Sequence, residues 1–286
     1  MIRHLFWSSR PLSWINTAYP FALAYLLLAR PVDPVLLVVG TLYFLIPYNL
    51  AMYGVNDVFD YESDLRNPRK GGVEGSVLAP ALHRPTLIAA AVTNIPFLVV
   101  LVVLGNPASW LVLAISVFAV IAYSSKGLRF KERPVLDSVT SSTHFVSPAV
   151  YGVALAGAAV DARTVLLLAA FFCWGMASHA FGAVQDVPAD REAGIGSIAT
   201  ALGARATVGI AAALYLAGGV LAGLSGWPTA LAGLLALPYL AMVAPFLRIT
   251  DGTAETANRG WRRFLAINFG AGFGVTMLAI AASALA

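Results

Sequence analysis

Three carboxylates in the first quarter of the chain are spaced so that a single helix would present them together. Asp57, Asp60 and Asp64 follow one another at intervals of three and four residues. At about 3.6 residues per turn, such intervals place side chains on one helical face. The same face, continued backwards, carries Tyr53 and Asn49. The spacing therefore predicts a polar stripe that runs along a helix and ends in three carboxylates, with Asn49 and Tyr53 as candidate substrate-binding residues.

A second acidic cluster lies about two thirds of the way along the chain. Asp186 and Asp190 are four residues apart, and His179 precedes Asp186 by seven residues. On a regular helix these side chains share a face, with the histidine about 10 Å further along it. Pro188 predicts that the helix kinks or restarts between the two aspartates. We interpret this region as a second helix end that carries carboxylates, with His179 as a candidate substrate-binding residue.

The two clusters echo each other, since residues 56–58 read Asn-Asp-Val and residues 185–187 read Gln-Asp-Val. We interpret the echo as a weak internal repeat of two half-bundles. Mg²⁺ usually binds one or two carboxylates together with substrate phosphates. Either cluster alone is also consistent with a solvated helix end. Together they predict a diphosphate held through bridging Mg²⁺, with the ligands Asp57, Asp60, Asp64, Asp186 and Asp190.

Basic residues follow both clusters and also form a loop of their own. Cations at such positions neutralise phosphate oxygens in phosphoryl-binding sites. The alternative for any one of them is the ordinary positive charge of a membrane protein's cytoplasmic loops. The candidates for diphosphate binding are Tyr123, Lys126, Arg129 and Lys131 in the separate loop, Arg66 after the first cluster and Arg191 after the second.

The composition shows which kind of element must position these side chains. Of the 286 residues, 59% are hydrophobic and 11% are charged, and the mean hydropathy is +0.79. Soluble domains are about 45–50% apolar and about 25% charged, so lipid must be the solvent for much of this chain. A membrane-spanning helix needs about 20 mostly apolar residues.

Nine segments meet this requirement, and they predict the fold. We expect an all-α, multi-pass transmembrane bundle of nine helices, with the two Asp-rich helix ends facing a central cavity. No separate soluble domain fits in the remaining residues, so residues 1–286 form one domain. The predicted spans lie near residues 12–29, 34–56, 86–105, 107–124, 135–158, 163–185, 205–224, 228–247 and 264–285.

The distribution of charge orients this bundle. With nine spans, all but Arg30 and Arg163 of the 18 Lys and Arg residues fall on the side that holds the N-terminus. Positive loops stay in the cytoplasm, so we expect a cell-membrane protein whose N-terminus and acidic clusters face the cytoplasm. We expect no signal peptide, because Arg10 and Pro11 interrupt the start of the chain. The same loops explain the net charge of +4, so the expected partner is membrane lipid and not nucleic acid.

A few polar residues lie inside the predicted spans. Asn16 and His144 are candidates for orienting a membrane-embedded substrate or accepting a proton from it. Asn94 and Asn268 more simply predict hydrogen bonds to a neighbouring helix. The single cysteine, Cys173, excludes a disulfide within the chain and a metal cluster built on thiolates.

These motifs resemble those of the UbiA-type superfamily of intramembrane prenyltransferases. The resemblance rests on the form N-D-x-x-D-x-x-x-D at 56–64, on D-x-x-x-D at 186–190, on Gly-Ile-Gly-Ser at 194–197 and on the basic loop at 123–131. It implies a Mg²⁺-dependent transferase that ionises an allylic diphosphate and passes the allylic group to an electron-rich acceptor. It also implies that Asn56 belongs to the substrate site. Aromatic faces such as that of Tyr53 would shelter the allylic cation.

Within this superfamily, residues 53–64 and 67–72 are most similar to the members that elongate carotenoids, the lycopene elongases. This implies a five-carbon allylic diphosphate as donor and a lipophilic carotenoid as acceptor. Prenylation of an aromatic or quinone precursor is the alternative reaction, and a membrane transporter is the alternative outside enzymes. The charged groups gather at one membrane edge and not at the midplane, which disfavours a transporter. An alcohol phosphatidyltransferase is disfavoured because its Asp-Gly-x-x-Ala-Arg motif is absent.

Overall fold

The structure, a computed structural model, describes residues 1–61, 65 and 77–285. Two predicted site residues, Asp64 and Arg66, lie outside the described residues. Within the described part every regular element is a helix and no strand occurs, which confirms the all-α prediction. The chain divides into a first unit, Met1–Phe130 with Thr143–Ala159, and a second unit, Lys131–Ser142 with Val160–Ala286.

The helices follow the chain in simple order. The first unit contains α1 Ile2–Ser8, α2 Ile15–Leu28, α3 Pro34–Leu45, α4 Pro47–Asn49, a π-helical turn Leu50–Gly54, α5 Val55–Phe59, α6 His83–Val103 and α7 Pro107–Ser124. The helix α8, Leu136–Leu155, belongs to the second unit up to Ser142 and to the first unit from Thr143. The second unit continues with α9 Ala162–Val184, α10 Val187–Ala193, α11 Ile198–Leu202, α12 Ala204–Gly223, α13 Ala236–Val243 and α14 Asn258–Ala284.

Seven helical stretches of the described residues are long and apolar enough to cross a membrane. The predicted count of nine is therefore not confirmed. The two remaining predicted spans, 12–29 and 135–158, are helices too, but α2 has only 14 residues and α8 carries Asp137, His144 and a run of Ser and Thr. The seven stretches are Pro34–Phe59, Pro80–Val103, Pro107–Ser124, Ala162–Val184, Ala204–Gly223, Thr229–Phe246 and Asp251–Ala284.

The stretch that leads to the first acidic cluster is not a regular helix. Pro47 lacks an N–H donor and interrupts the ladder, and residues Leu50–Gly54 then wind as a π-helix. The buried Asn49 covers the interruption, because its amide donates hydrogen bonds to the Thr17 hydroxyl at 2.7 Å and to the Phe44 carbonyl at 2.8 Å. Asn49, predicted to bind substrate, is thus engaged in holding this bend. π-helical turns are frequent at functional sites.

An aromatic cluster holds the helices of the first unit beneath this bend. Its rings lie with neighbouring centroids 4.9–5.9 Å apart, in tilted and edge-to-face arrangements. Such pairs add about 0.5–1.5 kcal/mol each beyond the burial of their surface. The cluster joins α2, α3, α4 and α8 and consists of the fully buried Phe21, Tyr43, Phe44, Tyr48 and Tyr151.

The last turns before the first acidic cluster pack closely against α6. A Cβ atom at Gly54 would lie 3.1 Å from the Thr86 Cγ2 atom, which is tighter than an ordinary van der Waals contact. At the far end of the cluster, the Tyr61 and His83 rings meet edge to face at 5.0 Å. These contacts fix the end of α5 from the side of α6.

The second unit is built around the pairing of α9 with α12. Buried alanines on both helices, including Ala177, Ala180 and Ala211, keep the interface thin. Tyr215 and Tyr239 stack at 5.0 Å inside this core. The pairing supports the C-terminal end of α9, directly before the second acidic cluster.

Candidate active site

The first acidic cluster is buried. Asp57 is completely inaccessible and Asp60 is 9% exposed. An Asp57 oxygen lies 2.9 Å from a guanidinium nitrogen of Arg10. Arg10 also lies over the Tyr53 ring, 4.5 Å from its centroid. A buried carboxylate needs such compensation, because removing its charge from water costs several kcal/mol.

The second carboxylate of this cluster faces the predicted basic loop. An Asp60 oxygen lies 3.9 Å from a guanidinium nitrogen of Arg129, and Arg129 adopts a left-handed backbone with φ +40°. The oxygen of the Asn56 amide accepts a hydrogen bond from the Ser124 hydroxyl at 2.8 Å. The structure thus brings Arg129 and Asn56 to the first cluster, while Lys126 lies exposed in the loop.

A group of hydroxyls and rings surrounds Tyr48 and His144 in the first unit. Tyr123 and the buried His144 meet edge to face at 5.1 Å. The Tyr48 hydroxyl donates to the His144 carbonyl at 3.3 Å and accepts from Ser116 at 3.1 Å, and Ser116 bonds Ser147 at 2.7 Å. Tyr123 and His144, predicted independently, are therefore neighbours in the first unit. Asn16 is half-buried on α2.

The second acidic cluster forms a short separate helix, α10. Asp186 stands at its N-terminal end and Asp190 lies inside it, so the restart predicted at Pro188 is confirmed. Both aspartates are partly exposed. The helix ends at Gly194, which adopts φ +70°, a conformation that favours glycine.

Arg191 of this cluster is bound within the second unit. One guanidinium nitrogen pairs with Asp251 at 2.6 Å, and another donates to the Thr200 carbonyl at 3.1 Å. Asp251 also accepts the backbone N–H of Ala204 at 2.7 Å. Both charged side chains are more than 40% exposed, at 45% and 42%. Arg191 therefore ties α10 to α11 and to the turn before α14.

The loop after α10 packs against the chain that enters α8. A Cβ at Gly196 would lie 2.4 Å from the Glu132 carbonyl oxygen, so no larger residue fits there without a backbone shift. The fully buried Asp137 accepts the backbone N–H of Ile198 at 2.7 Å. Lys131, adjacent to Glu132, belongs to this same unit.

His179 lies on α9, about two turns before Asp186. Its Nδ1 atom is 3.0 Å from the Ser138 hydroxyl, and the backbone N–H of Ser138 donates to Asp137 at 2.7 Å. The predicted His179 thus lies next to polar groups at the start of α8. Within the second unit, Gln185 accepts a hydrogen bond from Asn258.

The donor set of the first cluster fits Mg²⁺ that is shared with a ligand. Among residues 1–61, 65 and 77–285 no group of three or more His, Cys, Asp or Glu could hold a metal ion by itself. Mg²⁺ does not need such a group, since it keeps waters and binds through one or two carboxylates plus phosphate oxygens. Asp57, Asp60 and Asn56 offer the hard oxygens that it prefers.

Three contacts at these clusters were not predicted from the sequence: Arg10 on Asp57, Ser124 on Asn56 and Asp137 on Ile198. In the sequence, Arg10 has the position of a positive charge that orients a membrane span. Its partner Asp57 is 47 residues away, so no local spacing links the two residues. Asp137 offers one signal, because it is an isolated acid at the start of a predicted span.

Fold and site together define an all-helical integral membrane protein with buried, arginine-paired carboxylates at the end of an apolar helix. Residues 17–283 match the model of the UbiA prenyltransferase family. This match covers more than half of the chain, and the protein belongs to that family. The protein is thus an enzyme of the prenyltransferase class.

Relatives and solved structures agree with this assignment. The chain is 59% identical over 281 residues to the C(50) beta-cyclic carotenoids biosynthesis protein LbtBC of Dietzia sp. (strain CQ4), with 98% of this chain and 65% of that protein covered. It therefore spans about two thirds of the length of that relative. It is 54% identical over 280 residues to a lycopene elongase/hydratase of Corynebacterium glutamicum, with 98% of this chain and 97% of that protein covered.

The fold matches solved structures at much lower identity. A UbiA homolog from Archaeoglobus fulgidus bound to DMAPP and Mg²⁺ has a TM-score of 0.68 at 17% identity, with 94% of this chain and 98% of that chain covered. The apo structure of a UbiA homolog from Aeropyrum pernix K1 has a TM-score of 0.65 at 21% identity, with 97% and 99% covered. These likenesses establish the fold.

Proposed function

We propose that this protein transfers a dimethylallyl group from its diphosphate to a membrane-embedded carotenoid, lycopene. The observation that carries the proposal is the buried pair Asp57 and Asp60, each facing an arginine at the end of an apolar helix. Buried carboxylates at a membrane edge are expensive and mark functional sites. The relatives named for C(50) carotenoid biosynthesis and for lycopene elongation support the choice of acceptor.

Carboxylates of both motifs supply the metal ligands in this proposal: Asp57, Asp60 and Asp64 from the first and Asp186 and Asp190 from the second. Bound Mg²⁺ neutralises diphosphate charge and makes pyrophosphate a better leaving group. Arg129, Lys126, Lys131, Arg66 and Arg191 add positive charge for the diphosphate oxygens. The solved relative bound to DMAPP and Mg²⁺ supports this combination of donor and metal.

The transfer exchanges one bond for another. The allylic C–O bond breaks and pyrophosphate leaves with the electron pair. The terminal double bond of the acceptor supplies two electrons to the allylic carbon and forms the new C–C bond, which leaves a tertiary cation on the acceptor. Tyr53 offers an aromatic face to the allylic cation. The apolar surroundings keep water away until the C–C bond has formed.

The tertiary cation is discharged in one of two ways. Loss of a neighbouring proton restores a double bond, and capture of water followed by loss of its proton leaves a tertiary alcohol. The double name elongase/hydratase of the Corynebacterium relative corresponds to these two outcomes. The candidate proton acceptors are His144, His179 and an oxygen of the diphosphate; both histidines lie within predicted apolar spans.

An aromatic acid is the alternative to a carotenoid as the acceptor. A carboxylated ring needs a cation deep in the pocket, and no Lys or Arg lies in the middle of any predicted span. A carotenoid is apolar along its length and enters sideways from lipid.

Expression in cells that accumulate lycopene tests this proposal. Pigments heavier by one or two five-carbon units, each with or without added water, are the expected products. Membranes from the same cells should form none of these products when they are assayed with excess chelator. Unchanged lycopene together with prenylation of an added aromatic acid would reject the carotenoid acceptor. The aromatic reaction would then be the function.

We further propose the nine-span topology with a cytoplasmic N-terminus. All but two of the 18 Lys and Arg residues lie on that side in the nine-span arrangement, which supports it. In a Cys173→Ala background, an impermeant maleimide applied to intact cells should label Asp161→Cys but not Glu192→Cys. Labelling of Glu192→Cys without permeabilisation would contradict this orientation.

A further inference from the structure

Arg10 makes a close charged contact with the first motif. Its guanidinium nitrogen lies 2.9 Å from an Asp57 oxygen, with Arg10 18% exposed and Asp57 fully buried. The contact is made by one nitrogen, and the Nε atom of Arg10 is buried with no hydrogen-bond partner among the described residues. The two side chains are thus close, but the contact with Asp57 engages only one nitrogen of the guanidinium.

The backbone around Arg10 holds this side chain in place. Arg10 adopts φ +51°, a left-handed conformation that is uncommon outside glycine and that points to function when it is seen. Pro11 begins the next turn. The Trp14 indole donates to the Ser9 carbonyl at 3.0 Å, which folds α1 back beside the residue. The helix α1 also contacts the π-helical turn Leu50–Gly54.

The same guanidinium covers a second electron-rich surface. It lies 4.5 Å from the centroid of the Tyr53 ring, within the range of cation–π attraction. In the proposed reaction, Asp57 receives a metal ion and Tyr53 faces an allylic cation. In the protein without donor, Arg10 therefore lies next to both Asp57 and Tyr53, the groups that would interact with the metal ion and with the allylic cation.

We propose that Arg10 is the resident counter-ion of Asp57 and that it makes tight Mg²⁺ binding depend on the donor diphosphate. The inference rests on the proposed function. With the charge of Asp57 already balanced by Arg10, a free divalent ion meets repulsion from the guanidinium. The diphosphate brings the additional negative charge that both cations need. Asp57 would therefore hold Mg²⁺ tightly only when the donor diphosphate is present, and Arg10 acts as a positioning residue for Asp57.

Metal binding without turnover tests this inference. Mn²⁺ replaces Mg²⁺ as a paramagnetic probe, and its free concentration is read by electron paramagnetic resonance on the full chain in nanodiscs. We expect weak Mn²⁺ binding by the wild type alone and tight binding with a non-ionising thiolodiphosphate analogue of the donor. R10Q and R10M keep the stem but remove the charge. Each should bind Mn²⁺ without the analogue about tenfold or more tightly than the wild type.

Matched variants separate this effect from a general change of charge or fold. R3Q removes a positive charge from the exposed face of α1 and should leave Mn²⁺ binding unchanged. R10K keeps the charge, so in the absence of the analogue it should bind Mn²⁺ as weakly as the wild type does. D57N should lose tight binding in every condition. Gel filtration establishes that each variant is monodisperse.

The outcomes distinguish this inference from the proposed function. Equal donor-free Mn²⁺ affinity in wild type, R10Q and R10M would overturn the role of Arg10 while leaving the metal site intact. Absence of Mn²⁺ binding by the wild type even with the analogue would overturn the metal site and this inference with it. Equal tightening in R3Q would also overturn the inference, because a diffuse charge effect would then explain the result.

Discussion

The two acidic motifs look alike in sequence but have different surroundings. In the first unit, Asp57 and Asp60 are buried and face Arg10 and Arg129. In the second unit, Asp186 and Asp190 are partly exposed on a short helix. There the adjacent arginine is bound to a third carboxylate, Asp251.

This difference indicates a division of energetic roles. Charge in the first motif is desolvated, so it depends on cations supplied by distant parts of the chain. The aspartates of the second motif are partly exposed, although the Oδ1 atom of Asp186 is buried, and Arg191 beside them holds α10 in place. Replacing a residue in the first motif should therefore affect both chemistry and stability. Replacing one in the second should affect chemistry alone or the placement of α10.

The largest effect is expected from neutralising either motif. D57N and D186N should each lower kcat by about a hundredfold or more, because each removes a charged ligand from the proposed metal site. Only D57N should also lower Tm clearly, since it leaves the part-buried Arg10 without its counter-ion. Product formation and thermal unfolding of purified protein measure the two effects.

D161N is the matched control for these variants. Asp161 is exposed and caps α9 by accepting the Thr164 N–H, and asparagine caps helices equally well. Its activity and Tm should stay at the wild-type level. An equal drop in Tm for D57N and D186N would break the distinction between the two motifs.

An intermediate effect is expected from the loop that follows the second motif. G196A places a methyl group against the Glu132 carbonyl oxygen, where a Cβ would lie at 2.4 Å. The shift that follows should cost about 1–3 kcal/mol of stability and lower kcat, because the loop leads directly from α10. Chemical denaturation and initial rates measure it.

G252A serves as the comparison for this variant. A Cβ at Gly252 meets no atom within 4 Å, so stability and rate should be unchanged. If G196A matches G252A in both measurements, the close approach does not position the second motif.

The smallest effect separates two roles of Arg191. R191Q and D251N both remove the exposed ion pair, and each should change the free energy of unfolding by no more than about 1 kcal/mol. If Arg191 also contacts the diphosphate, R191Q alone should raise KM for the donor, by about tenfold. D251N should leave that KM within about twofold of wild type. Equal KM values for the two variants would reduce Arg191 to a structural tie.

Much of the site could be predicted because the type and the spacing of the aspartates indicate carboxylates that act together. Asp57 and Asp60 lie at the end of α5 and Asp186 lies at the start of α10, as predicted, whereas Asp190 lies inside α10. The regular stripe through Asn49 was less accurate, because Pro47 and the π-helical turn replace the assumed period of 3.6 residues. A period-based argument cannot detect such a turn, since no single residue type requires it.

The count of spans shows a second limit of this kind. Apolar length predicted helices wherever lipid must be the solvent, and all nine predicted segments are helical. Whether the 14-residue α2 or the polar α8 qualifies as a span depends on where each helix ends and what its hydroxyls contact. Those details come from neighbouring helices.

The sequence by itself determined the helical membrane class, the two acidic motifs and the family, because each follows from composition or from local spacing. Only the tertiary structure decided which cation meets which carboxylate. Arg10 reaches Asp57 from 47 residues away, and Arg191 turns to Asp251 over a separation of 60 residues. The physical reason is that a charged side chain pairs with whichever opposite charge the packed helices bring within reach. That proximity is a property of the folded chain and not of its local pattern.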